Sequence, residues 1–243
     1  MTQDYVRPPH PGPIESWPDA EYDAALHLLD RQIVAVDGRL VGKVDDVELT
    51  VDPDGSLVPT GLQVGAAALL PRFGGGLGSW LAERHEQIGC ARADRTTPYV
   101  VDMALVDDVT SEVHVTQPRE GLLRRRVPGL EEPTRHTLGQ LLEMTVRMPP
   151  EVEGPAEATV LDVRISARDG TQRVSALVVG HGRPGSLLGY ERSRDQGPWL
   201  IAAIVRRIHR HTRIVELGPD VDLVWETGEV RVGPGTVVHQ LPD

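Results

Sequence analysis

The sequence predicts an all-β protein of two tandem small β-barrels, with short helical pieces and a proline-rich N-terminal tail. Three observations predict it. Short runs rich in Val, Leu and Ile are separated by turn residues at intervals of about 8–12 positions, the rhythm of a small barrel or sandwich. Helix-period signal is confined to residues 20–29 and 79–86. The second half of the chain then repeats the first in order, as expected when one structural unit occurs twice.

Each element follows from local chemistry. Residues 1–24 carry Pro8, Pro9, Pro11, Pro13 and Pro18. Proline fixes φ and disfavours helix in the preceding residue, so this stretch reads as a disordered tail, and it lacks the apolar centre of a signal peptide. The first domain spans residues 25–117. There, residues 32–36 and 40–44 flank Asp37-Gly38, a dipeptide suited to the positive φ angles of a tight hairpin turn. Residues 44–51 alternate, Asp52-Pro53-Asp54-Gly55 supplies the next turn, and residues 57–64, 100–105 and 112–116 read as further strands. A Pro- and Arg-containing linker, 118–135, leads to a second domain, 136–235, and a C-terminal tail, 236–243.

The repeat is the strongest signal. Leu28-Leu29-Asp30 recurs as Leu141-Leu142-Glu143, with Ile33 matching Val146. Val44-Asp45-Asp46-Val47-Glu48-Leu49 recurs as Val160-Leu161-Asp162-Val163-Arg164-Ile165. Gly61-Leu62-Gln63-Val64-Gly65 matches Ala176-Leu177-Val178-Val179-Gly180, and Pro98-Tyr99-Val100-Val101 is matched with Pro198-Trp199-Leu200-Ile201. The first copy then carries the longer insert, between Gly65 and Pro98. Allowing a one-residue shift in this register, Asp107 and Asp108 fall opposite Arg206 and Arg207, and Glu112 falls opposite Arg213. One loop would be acidic in one barrel and basic in the other. Such loops would make the barrels complementary, within a chain or between chains.

The first hairpin resembles a known family, the PRC-barrel domains, at its turn glycine Gly38, its Gly-x-Val-x-Asp step (Gly42, Val44, Asp46) and its later Pro-aromatic-apolar strand (Pro98-Tyr99-Val100). The likeness is weaker in the second half, where Ala156-Glu157-Ala158 stands near the place of Gly42. The resemblance implies a compact β-barrel used as a binding or assembly module, found in reaction-centre and ribosome-maturation proteins. It implies no catalytic residues.

Charge sharpens the picture. Of 36 acidic and 25 basic residues in a chain of net charge −11, residues 1–120 hold 20 acidic and 9 basic, and residues 121–243 hold 16 of each. The whole excess lies in the front half, which excludes a uniformly basic nucleic-acid coat. A single cysteine, Cys90, excludes an intrachain disulfide or a zinc ribbon. No run of about 18 apolar residues is present, which argues against a spanning helix and points to the cytoplasm.

Motifs for chemistry fail on inspection. Gly74-Gly75-Gly76-Leu77-Gly78 has no Lys-Ser/Thr after it, and Ser79 stands where a dinucleotide loop needs glycine. His209 and His211 share a strand face, but their neighbours are arginines that oppose a cation. Asp45 and Asp46 point to opposite faces of a strand and cannot chelate one ion together; Asp46, with Asp162, reads as an acceptor of backbone N–H groups. No cofactor or metal is expected. Two surfaces remain as candidates. Arg206, Arg207, His209, Arg210, His211 and Arg213 form a basic loop that would either bind phosphate or simply be solvated. Phe73 and Trp80 lie in a glycine-jointed apolar excursion that is either a lid or a protein contact. The expected function is a non-enzymatic adaptor or assembly protein binding a protein partner or itself. The alternative is RNA or ribonucleoprotein binding through the basic loop. Peripheral membrane contact is not expected.

Overall fold

The computed structural model describes residues 14, 15, 17–69, 97–125, 134–150, 157–168, 170–180 and 212–240. Strand β1 (Tyr22–Asp23) runs directly into helix α1 (Ala24–Leu28). Strands β2 (Gln32–Val34) and β3 (Leu40–Lys43) form the Asp37-Gly38 hairpin, with Gly38 at φ +73°. A left-handed angle of this kind is open to glycine and costly for most side chains. Strands β4 (Asp46–Val51) and β5 (Leu57–Val64) meet at the Asp52-Pro53-Asp54-Gly55 turn. Helix α2 (Ala66–Leu69) follows, then β6 (Tyr99–Asp102), a single 3-10 turn at Met103–Leu105, β7 (Val106–Val109), β8 (Glu112–Val115) and β9 (Arg124–Arg125).

The second half uses the same parts. They are β10 (Arg135–Thr137), α3 (Leu138–Leu142), β11 (Thr145–Arg147), β12 (Glu157–Arg168), β13 (Thr171–Gly180), β14 (Arg213–Glu216), β15 (Val221–Val224), β16 (Glu229–Val232) and β17 (Val238–Gln240). Its sheet has the order β15-β16-β11-β12-β13-β14-β17. The first half has the same order cut in two, β7-β8-β2-β3 and β4-β5-β6-β9. The single long β12 corresponds to β3 and β4 together. Both halves also share a register shift at one place, between Glu48 and Leu49 and between Arg164 and Ile165. Strand predominates over helix, so the chain is all-β, and among the described residues none of the three sheets closes on itself.

Ladder partners correct the repeat register. Gly61 pairs with Asp102 and Val64 with Tyr99, whereas Ala176 pairs with Glu216 and Val179 with Arg213. The counterpart of Tyr99–Asp102 is therefore Arg213–Glu216, and Thr212 replaces Pro98. The match to Pro198-Trp199 rested on a proline-aromatic likeness, which hydrogen-bond pairing overrules. Inserts of nearly equal length interrupt both halves at one point, after Gly65 and after Gly180. The domain limits also move. Ile14 N–H donates to the Val109 carbonyl and β1 pairs with β12, so residues assigned to the tail lie on sheets. Strand β9 joins β6, and β17 joins β14, drawing the linker and the C-terminal stretch into the architecture.

The halves exchange their first elements. Strand β1 pairs with β12 of the second half (Tyr22 with Ile165, Asp23 with Arg164), and β10 pairs with β4 of the first half (His136 with Leu49, Thr137 with Glu48). Residues 22–28 and 136–142 are thus equivalent strand–helix arms, each laid against the other half's central strand. This is the isologous pattern of a two-fold dimer, written into one chain. Strands β5 and β13, also equivalent, pack against each other. One continuous core results, holding Leu28, Val47, Leu49 and Leu62 from the first half and Leu138, Leu141, Val163, Ile165 and Leu177 from the second. Fully burying such a side chain contributes about 1.5–3 kcal/mol, so the apolar faces supply most of the adhesion.

Candidate functional site

Two kinds of place concentrate polar chemistry: the seams where the arms dock, and the tip of the first hairpin. At the first seam, Asp162 is 4% exposed, and its Oδ1 accepts the Ala25 N–H at 2.8 Å and its own neighbour Val163 N–H at 2.7 Å. Its Oδ2 accepts the Leu26 N–H at 3.1 Å. Helix α1 has no side-chain cap from its own N-cap residue, Asp23, so the other half's carboxylate serves instead. The first amides of any helix lack internal partners and carry partial positive charge, so a carboxylate there is doubly favoured.

The second seam mirrors the first. Asp46, 2% exposed, accepts the Gly139 N–H at 2.9 Å and the Val47 N–H at 2.7 Å through Oδ1. Helix α3 adds a capping box, Gln140 N–H to Thr137 Oγ1 at 3.3 Å and Thr137 N–H to Gln140 Oε1 at 3.0 Å. Buried beside it, Glu48 Oε1 accepts the Thr60 hydroxyl at 3.0 Å and lies 3.9 Å from Arg135 Nε. Across the halves, the Arg173 guanidinium donates to Asp54 and to Ser56 Oγ at the first half's turn. Hydrogen bonds from Ser56, then that from Arg173, hold the Asp54 carboxyl well below the usual carboxylate range.

Titratable rings flank the same arms. Tyr22 is buried, which pushes its phenol up, and it donates to Gln172 Oε1 at 3.0 Å. Its counterpart His136 stacks on Trp225 with ring centroids 3.4 Å apart and planes 4° apart. Burial lowers the His136 pKa, opposed by a hydrogen bond with Gln140 and by the charge of Glu226.

At the hairpin tip, Val36 is 67% exposed and Leu40 is 50% exposed, the two flanking the Asp37-Gly38 turn. The tip is fixed by Gly38 N–H to the Ala35 carbonyl at 2.8 Å, Val36 N–H to the Gln117 carbonyl at 3.2 Å, and an Arg39–Glu120 ion pair at 2.9 Å. Strand β3 forms the edge of its sheet there.

Among the residues singled out from sequence, Arg206, Arg207, His209, Arg210, His211, Phe73 and Trp80 lie outside the described residues. Asp107 is exposed on β7, and Asp108 accepts the following Val109 N–H at 2.9 Å. Glu112 opens β8. Arg213 opens β14 and pairs with Gln240. The basic loop lies outside the described residues, so only the acidic strand can be placed. Strand β7 corresponds to β15, each pairing with the last strand of its hairpin, so Asp108 matches Asp222, Asp107 is the extra residue at a register shift, and Glu112 matches Glu229. In the stretch read as a linker, Arg125 lies 4.5 Å over the Tyr99 ring and donates to its hydroxyl at 2.7 Å. Asp46 and Asp162 do accept backbone N–H groups, as their repetition in sequence suggests.

A shallow depression of about 420 Å³, lined by Pro59, Thr60, Asp102, Met103, Leu105 and Arg124, is open to solvent. Among the described residues no group of three His, Cys, Asp or Glu is placed to hold a metal, and no helix is long and apolar enough to cross a membrane. No family model and no curated protein matches the chain.

Proposed function

We propose that this chain is a non-enzymatic assembly protein that binds a protein partner through the apex of its first hairpin, on a platform of two PRC-like, barrel-related halves. The observation that carries the reading is the exposed aliphatic pair Val36 and Leu40 on a tip held by two backbone hydrogen bonds and a side-chain ion pair. An apolar pair beside the charged group Asp37, Arg39 and Glu120 has the anatomy of a small contact patch. Pre-fixing the loop removes the ordering cost that a mobile contact would bear. The buried ionisable groups Asp46, Glu48 and Asp162 are meanwhile engaged in joining the halves, a structural use.

The test is affinity capture with the full chain as bait, with and without nuclease, beside a Val36→Asp/Leu40→Asp variant. A partner retained by the parent after nuclease and lost by the variant supports the reading. Capture that survives the variant, or that vanishes with nuclease, overturns it; the second result favours RNA binding.

A further inference from the structure

The seams carry opposite charges at equivalent positions. Glu48 and Arg164 occupy the same place in the two halves, since Glu48 pairs with Gly61 and Arg164 with Ala176. Their partners on the arriving arms are reversed as well. Glu48 faces Arg135 across 3.9 Å. Arg164 Nε donates to Asp23 Oδ1 at 3.2 Å, and its Nη1 lies 3.5 Å from Glu21. Glu21 and Arg135 are equivalent too, because each precedes the arm residue, Tyr22 or His136, that pairs with Ile165 or Leu49. Both sides of one contact have therefore changed sign together.

We propose that this inversion is a recognition code that directs each arm to the opposite half. An arm laid on its own half would set Glu21 and Asp23 against Glu48, or Arg135 against Arg164. The same clash would arise against the like half of a second copy of the chain. At these distances like charges repel, and in half-buried surroundings salt screens them weakly. Apolar burial supplies adhesion but discriminates little, because the buried Leu28-Leu29 of the first arm recur as Leu141-Leu142 of the second, and only Ala24 against Leu138 differs. Charge supplies the discrimination. The surface at β12 accepts an acidic arm, and the surface at β4 accepts a basic one.

The experiment follows hydrogen–deuterium exchange of the Ala25 and Leu26 amides, which donate to Asp162 only when the first arm is docked. A Glu21→Arg/Asp23→Arg variant of the full chain should exchange there about tenfold faster or more, and adding Arg164→Asp should bring protection back to within about twofold. A neutral Glu21→Gln/Asp23→Asn variant should fall between them. Should the reversed variant fail to fold, recovery of folding by Arg164→Asp supports the code. Unchanged protection in the reversed variant, or no recovery on adding Arg164→Asp, overturns it.

Discussion

Asp46 and Asp162 stand at the same position of the two halves, and each closes the first turn of the helix that belongs to the other. Their carboxylates fix where an arm lands and, with the leucines behind them, how firmly it holds. Hydrogen bonds to a charged group contribute about 1.5–3 kcal/mol net, much the same as burying one leucine, so each seam rests on both.

Removing Asp162 should strand the Ala25, Leu26 and Val163 amides together, a loss of about 2–3 kcal/mol in Asp162→Ala. Asp46→Ala should cost less, about 1–2 kcal/mol, because the Thr137–Gln140 capping box still serves α3. Urea titrations should show both variants shifting one common transition, since a single core spans the halves. Two separated transitions would count against a shared core.

Gly61 approaches Val100 so closely that a Cβ there would collide with Val100 Cγ1, while the second half carries Ala176 in the place of Gly61 and Ile214 in that of Val100. Gly61→Ala should therefore destabilise by about 1–3 kcal/mol, the usual cost of overpacking. A Gly61→Ala/Val100→Ala pair should recover part of it. Gly42→Ala should behave similarly, its Cβ meeting Val64 Cγ1 at 2.6 Å. Thermal melts of the three variants decide the matter.

Because burial depresses the His136 pKa below its unfolded value of about 6.5, the unfolded chain binds more protons between the two values. The contribution of neutral His136 is then complete above about pH 6.5 and is lost as pH falls through the folded pKa. Melting temperature should drop on acidification through this window, and His136→Phe, which keeps a ring on Trp225, should flatten the drop. An identical slope in the variant would remove His136 from the account.

The Asp54 carboxyl is held low mainly by Ser56 and secondarily by Arg173. Ser56→Ala should raise its titration midpoint, followed by carbon-detected NMR, more than Arg173→Ala does. The sign is that of a depressed acid: its contribution is present above the ordinary carboxylate pKa of about 3.9 and disappears only as pH falls through the lower folded value. A larger rise with Arg173→Ala would reverse the order of the two partners.

Much of this architecture was legible in local chemistry. Asp37-Gly38 marks the first hairpin, residues 57–64 form the strand their pattern indicates, and Asp46 repeated as Asp162 announces a backbone acceptor. The exchange of arms was not. Periodicity reports which face of a strand is buried, not which distant strand lies beside it, and Tyr22–Asp23 is too short to announce pairing with Ile165 and Arg164. A charge inversion between the copies was expected at Asp107 and Arg206, and Arg206 lies outside the described residues. An inversion that was not expected stands at Glu48 and Arg164, a pair that two aligned segments displayed side by side and that only strand pairing joins to Arg135 and Glu21.

The exchange of arms also sets an order in time. The amide of Ala25 finds its acceptor, Asp162, 137 residues further along the chain. A ribosome making this protein from its N-terminus releases the first arm early and its berth late, so Leu28 must wait without its final neighbours while more than half the chain is still being translated. Contacts of such long separation slow folding, because the loop between them must close before they are formed. This arm is thus synthesised well before its berth and is among the last parts that can settle.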